Sequence, residues 1–171
     1  MGFDMYLERD LHFGSGESRS YNLDHPNKLK ISGIPMAIPK RIKSVTEEVC
    51  YWRKCNAIHQ WFVDNCQDGK DECQRAWVDP DKIIELVELC QKLLKKKSKA
   101  EAMELLPPQS GFFFGSTEVN DWYWEDLKYT VKNLKPYVKL IKEYKEWLES
   151  DRETRTPQRV PWVDYYYQSS W

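Results

Sequence analysis

No run of apolar residues in this 171-residue chain is long enough to span a bilayer. The start, Met1-Gly2-Phe3-Asp4-Met5, lacks the basic and apolar regions of a secretory signal, and Tyr6 breaks the myristoylation pattern that Gly2 would open. Excess positive charge is also missing. Lys and Arg number 26 against 27 Asp and Glu, a net charge of −1, which argues against a DNA- or RNA-binding footprint. Cysteines are few and odd in number, five, without a C-x-x-C pair. That composition excludes a compact disulfide framework and points to free thiols in a reducing cytoplasm. Internal repeats are absent.

What the chain has is a large apolar and aromatic content. Hydrophobic residues make up 41%, with 8 Trp and 10 Tyr, enough for one globular domain spanning 1–171 with its own core. Phe3, Met5 and Leu7 alternate with Asp4, Tyr6 and Glu8, the pattern of a half-buried strand. The 9–43 segment, rich in Gly, Ser, Asn and Pro, reads as a long connection with short strands around Leu29–Ile31 and Pro35–Ile38. Ser44-Val45-Thr46-Glu47 fits a capping box, so a first long helix is predicted from Ser44 to a stop at Gly69. Asp79 and Pro80 open a second helix, closed by the lysines at 95–97 and 99. A short helical turn is expected near Ala100–Leu106, then an aromatic strand at Phe112–Phe114 between breakers. Asn120 or Asp121 caps a third helix running to about Trp147, which Pro136 should kink or split. A linker over 152–157 leads to a last strand at Val163–Trp171, expected to pair with the opening one. The predicted fold is α+β: three main helices on a small, mostly antiparallel sheet formed by both termini and the middle loops.

The predicted first helix is unusual. At about 100° per residue, Trp52, Cys55, Ile58, Phe62, Val63 and Cys66 share one stripe, yet Glu48 and His59 fall inside it and Asn56 at its edge. Buried polar groups must find partners or cost stability, so these either satisfy one another or face a ligand cavity. A planar anionic ligand would suit Trp52 for stacking, Arg53 for gripping phosphate, and Asn56 and His59 for reading polar edges. The loop Gly111–Thr117 adds close backbone approach and the hydroxyls of Ser116 and Thr117 just before a helix start. The competing reading of the loop is a packed aromatic strand, and of His59 a satisfied core histidine.

Other chemistry is weaker. Cys55, His59, Cys66 and Cys73 do not have the spacing of a zinc site. Asp64–Gly69 resembles a calcium loop until Arg75, where a glutamate is needed. Cys55 with His59 as base lacks an oxyanion element. His59 with Glu48 as acid and base on a nucleotide is the remaining enzymatic reading. No metal or cofactor is expected.

Several motifs together resemble a family of small uncharacterised proteins encoded by tailed bacteriophages and prophages. They are the start Met1–Leu7, Tyr51-Trp52-Arg53-Lys54 continuing through Asn56, Ile58, His59 and Trp61-Phe62, the stretch Leu105-Leu106-Pro107, the loop Gly111–Thr117, and the ending Gln168-Ser169-Ser170-Trp171. The resemblance spans the chain and implies a phage source, with the host cell's cytoplasm as location, but supplies no mechanism, because the family has no assigned activity. With it, the leading expectation is a non-enzymatic protein that binds a small anionic ligand through Glu48, Trp52, Arg53, Asn56, His59, Ser116 and Thr117. A nucleotide-derived host defence signal is the ligand class, sequestered by a homo-oligomer. The alternatives are a protein-binding inhibitor of a host enzyme, using Trp61 and Trp77, and the His59–Glu48 enzyme.

Overall fold

The computed structural model describes residues 2–12, 43–111, 114–150 and 162–171. The short strands expected at 29–31 and 35–38, the linker at 152–157, and Phe112 and Phe113 of the aromatic strand lie outside the described residues. The elements are β1 (Asp4–His12), β2 (Ser44–Arg53), α1 (Asn56–Cys66), β3 (Ala76–Val78), α2 (Pro80–Lys96), α3 (Lys99–Leu105), α4 (Asp121–Glu149) and β4 (Trp162–Ser170). The strands form one sheet in the order β2-β1-β4-β3, antiparallel throughout. Both ends of the chain therefore meet at its centre, with Asp4 opposite Ser170 and His12 opposite Trp162. The α+β reading and the pairing of first and last strands hold.

Residues 44–53 depart from the expected helix. They form β2. Val45, Thr46, Val49, Tyr51 and Trp52 are β-branched or aromatic, the residue types that fit a pleated surface. The i, i+3 spacing of Trp52, Cys55 and Ile58 arises across a sharp turn, not along one helix. Lys54 has a left-handed φ of 58°, and its N–H donates to Phe3 O at 2.9 Å. The helix begins only after it, at Asn56, with Cys55 as an N-cap lacking a side-chain hydrogen bond.

β2 also carries a bulge. Leu7 pairs with Cys50 but Glu8 pairs with Glu48, leaving Val49 extra. One inserted residue reverses which side chains face the helices. Glu47 consequently points to the helix side, where its carboxylate accepts from Arg9 Nε at 2.7 Å and from the Tyr137 hydroxyl at 2.7 Å. Glu48 is exposed on the other side.

The remaining helices follow their end signals. Asp79 accepts from Asp81 N–H at 2.9 Å with Pro80 at the first helical position, and Lys97 closes α2 in the left-handed conformation. Ser98 caps α3, and Asn120 caps α4 by accepting from Tyr123 N–H at 3.2 Å. Pro136 does not split α4: the helix is continuous over 29 residues. Pro136 is exposed, so the carbonyl deprived of its usual donor can turn to water.

The core lies between the sheet and the helices. Phe3, Met5, Leu7, Trp52 and Tyr167 from the sheet meet Ile58 and Phe62 from α1, with Ile83, Leu86 and Leu93 of α2 and Leu127 and Leu134 of α4 behind them. Phe62 and Tyr167 stack with centroids 4.2 Å apart. Among the described residues no helix is long and apolar enough to cross a membrane.

Candidate functional site

His59 stands at the centre of a closed network. It is 1% exposed, with Nδ1 2.8 Å from the Tyr167 hydroxyl and Nε2 3.1 Å from Asp71 Oδ2. Burial lowers its pKa against the opposing pull of Asp71, which keeps the ring neutral. With the proton on Nε2 it donates to Asp71 and accepts from Tyr167. Burial pushes the Tyr167 hydroxyl well above its usual range, so that proton stays. Asp71 gathers three further donors: Cys73 N–H at 3.0 Å, Ser169 Oγ at 2.9 Å and Trp171 Nε1 at 2.6 Å. The imidazole thus ties α1 to β4 and to the loop before β3. It does not project into a hollow.

Asn56 is likewise enclosed. It is 5% exposed, its amide donates to Phe114 O and Ser116 O, each at 2.9 Å, and its Oδ1 accepts from Gln109 N–H at 3.2 Å. These bonds pin the loop after α3 to the start of α1. Trp52 is buried, and its Nε1 donates to Thr130 Oγ1 at 2.9 Å. Arg53, its side chain 64% exposed, lies 3.9 Å from Asp4 on the opposite face of the sheet. Ser116 and Thr117 are exposed, and Ser116 Oγ accepts from Glu118 N–H at 3.1 Å. The seven predicted residues therefore do not converge on one site: Asn56 and Ser116 border one hollow, and Trp52 and Arg53 another. Glu48 and His59 stand on opposite sides of the sheet, which removes the acid–base pair. The Cys55 thiol pairs with Asp126 in place of His59. Trp61, expected to be a free surface aromatic, is half-buried and packs edge-on against Phe62 at 5.2 Å. Among the described residues no group of three or more His, Cys, Asp or Glu is placed to hold a metal.

Two hollows adjoin these residues. The first, about 60 Å³, lies between the turn at Lys54–Ala57 and the start of α4, with Ser116, Glu118, Asn120, Trp122 and Asp126 on its wall. That volume holds a few waters, far below the several hundred Å³ typical of nucleotide-sized pockets. The second, about 240 Å³, runs beside β2 and is lined by Tyr51, Trp52, Arg53, Asp126 and Tyr129. Asp126 borders both. Burial raises its carboxyl to about 6, against the lowering effect of the Cys55 thiol. No salt bridge reaches it among the described residues.

Among the described residues, the face of the sheet away from the helices is a larger open surface. Strand alternation places Asp4, Tyr6, Glu8 and Asp10 of β1 there, beside Glu48, Tyr51 and Arg53 of β2, Tyr166 and Gln168 of β4, and Trp77 of β3. Tyr6 and Tyr51 lie 5.4 Å apart, the Arg75 guanidinium sits 3.8 Å over Tyr166, and Trp77 is 53% exposed. Arg75 also reaches Glu8 and Asp10, at 3.3 and 3.0 Å. The sequence flagged Trp77 but neither Asp126 nor Asp71.

Comparison with known proteins gives no match: no family model, no curated protein and no solved structure is significantly similar to this chain.

Proposed function

We propose that this chain acts by binding a protein partner, without catalysis, through the helix-free face of its sheet. The observation that carries this reading is the platform of Tyr6, Tyr51, Tyr166 and Trp77, interleaved with Arg75 and acidic side chains and overlain by no helix among the described residues. Interfaces draw their energy from such aromatic and arginine anchors. The family resemblance, if it marks a phage origin, makes a host protein the partner and its inhibition the benefit. Enzymatic readings have less support, because the buried His59, Tyr167 and Cys55 are all neutral and sealed from solvent.

The test is capture of a partner from host extract, followed by measurement with the purified pair. Trp77→Ala is expected to weaken binding by about tenfold or more, the usual loss at an aromatic anchor. Hydrogen exchange in the complex should be slowed on β1, β3 and β4. Unchanged affinity in Trp77→Ala together with Tyr6→Ser, in folded protein, would reject the sheet face.

A second reading keeps a small anionic ligand, held in the 60 Å³ hollow beside Lys54, Asn56 and Ser116 at the start of α4. The favourable helix end and Lys54 support an anion there, while Glu118 and Asp126 on the same wall oppose it. Its size suits a carboxylate or phosphate group of a ligand whose remainder lies against the exposed Trp122. Isothermal titration with cyclic dinucleotides and ADP-ribose-type compounds tests it, and absence of heat with all of them counts against it.

A further inference from the structure

β2 is an edge strand. It pairs with β1 on one side, and among the described residues nothing pairs with the other. A bulge at Val49 interrupts the ladder between Leu7 and Glu8 and twists the edge, with regular pairing on either side of it. The stretch from Cys50 to Arg53, beyond the bulge, is the part of the edge that adjoins a groove. The groove of about 240 Å³ runs along this stretch, between the strand and the first turns of α4. Its walls are Tyr51, Tyr129, which is 44% exposed, and Arg53. Asp126 also lines it, a half-buried carboxyl whose neighbour is a thiol and which no described cation reaches.

An unpaired backbone edge recognises another extended backbone, and an adjoining groove selects every second side chain of the added strand. A carboxylate at low dielectric without a counter-cation selects the charge of that side chain. Arg53 does not supply it, since its guanidinium lies on the opposite face near Asp4. Tyrosine walls suit the methylene stem of a long basic side chain.

We propose that the free edge of β2 takes an extended segment of a protein partner as an added strand, and that a lysine or arginine of this segment enters the groove to pair with Asp126. This rests on the reading of the chain as a partner-binding protein and names the chemical form of what it binds. Tyr51 and Arg53 belong to both the groove and the open sheet face, so strand and platform form one continuous surface.

The test uses fluorescent synthetic decapeptides of alternating Thr and Val, carrying Lys, norleucine or Glu at one central position, and the intact chain. Anisotropy should show the Lys peptide binding about tenfold tighter than the norleucine peptide, with the Glu peptide weakest. Asp126→Asn, isosteric and checked by its melting curve, should abolish the Lys preference and leave the norleucine affinity in place. Tyr129→Ala, which removes a wall of the groove, should weaken all three peptides. A peptide with Pro next to the central residue should lose binding through loss of a ladder donor. Equal binding of Lys, norleucine and Glu peptides, or a Lys preference that survives Asp126→Asn, overturns the proposal. So does self-association of the chain abolished by Tyr129→Ala, which would assign the groove and its edge to a second copy. Failure of every peptide, with partner capture still sensitive to Trp77→Ala, rejects the added strand while leaving the sheet-face reading intact.

Discussion

His59→Ala is the substitution that most sharply separates a binding residue from an internal strut. In the folded chain the imidazole is enclosed between Phe3, Phe114, Tyr167 and Asp71. Removing it leaves the Tyr167 hydroxyl, itself 0% exposed, without its partner, which costs about 1–3 kcal/mol. The void and the lost edge contact with Phe3, at 4.7 Å, add roughly 2 kcal/mol. Asp71 retains three donors and contributes little to the loss. The sum, about 3–5 kcal/mol, is a large part of the about 5–15 kcal/mol that holds a domain together. For a chain of this length it corresponds to a fall in melting temperature of roughly 10 °C. Urea and thermal unfolding measure it, and a cycle with Tyr167→Phe isolates the contact. Because Tyr167→Phe removes the group that would be orphaned, adding it to His59→Phe should cost less than the two single losses together, by about 1 kcal/mol. An unchanged midpoint in His59→Ala, or strict additivity in the cycle, would refute the strut and return His59 to the candidates for ligand contact.

Other consequences are equally direct. Because the folded pKa of His59 is lowered, the unfolded chain takes up protons more readily. The stability it contributes is complete above about 6.5 and is lost as pH falls through the folded value, so His59→Phe should flatten the acid limb of a stability–pH profile. Asp126 has the opposite sign: its carboxyl is raised to about 6, so burial is tolerated below the unfolded pKa and becomes costly as pH rises through 6. Asp126→Asn should therefore stabilise at pH 7.5 by about 1 kcal/mol, discounted for partial exposure, and change little at pH 4, as chemical denaturation will read. Lys54→Gly should raise the melting midpoint slightly, by about 0.5 kcal/mol, because it removes left-handed strain at φ 58° in exchange for unfolded-state entropy. Thr130→Val should cost about 1–2 kcal/mol by stranding the buried Trp52 indole N–H, visible in urea midpoints and in tryptophan fluorescence.

The legible parts of the fold were those with local end signals. Asp79-Pro80 and Asn120 each mark a helix start through their own hydrogen bonds, and period-2 alternation marks β1. The site was less legible. Glu48, Trp52 and Arg53 share a helical stripe with Asn56 and His59 only if the chain does not turn at Lys54, a position with neither Gly nor Pro to announce the turn. One bulge residue, Val49, then decides that Glu47 faces Arg9 and Tyr137 while Glu48 faces outward. Nothing within a few residues encodes that choice.

Composition and local chemistry by themselves determined an α+β fold with free thiols, the caps of α2 and α4, and the meeting of β1 and β4 in one sheet. They also showed that Asn56 and His59 would need partners. Which partners was decided only in three dimensions: Asp71, Tyr167 and Phe114 lie between 12 and 108 residues away along the chain and are delivered by β4 and two loops. A buried polar group announces its need through its own chemistry. The group that answers it is chosen by packing across the core, where sequence distance has no bearing on proximity.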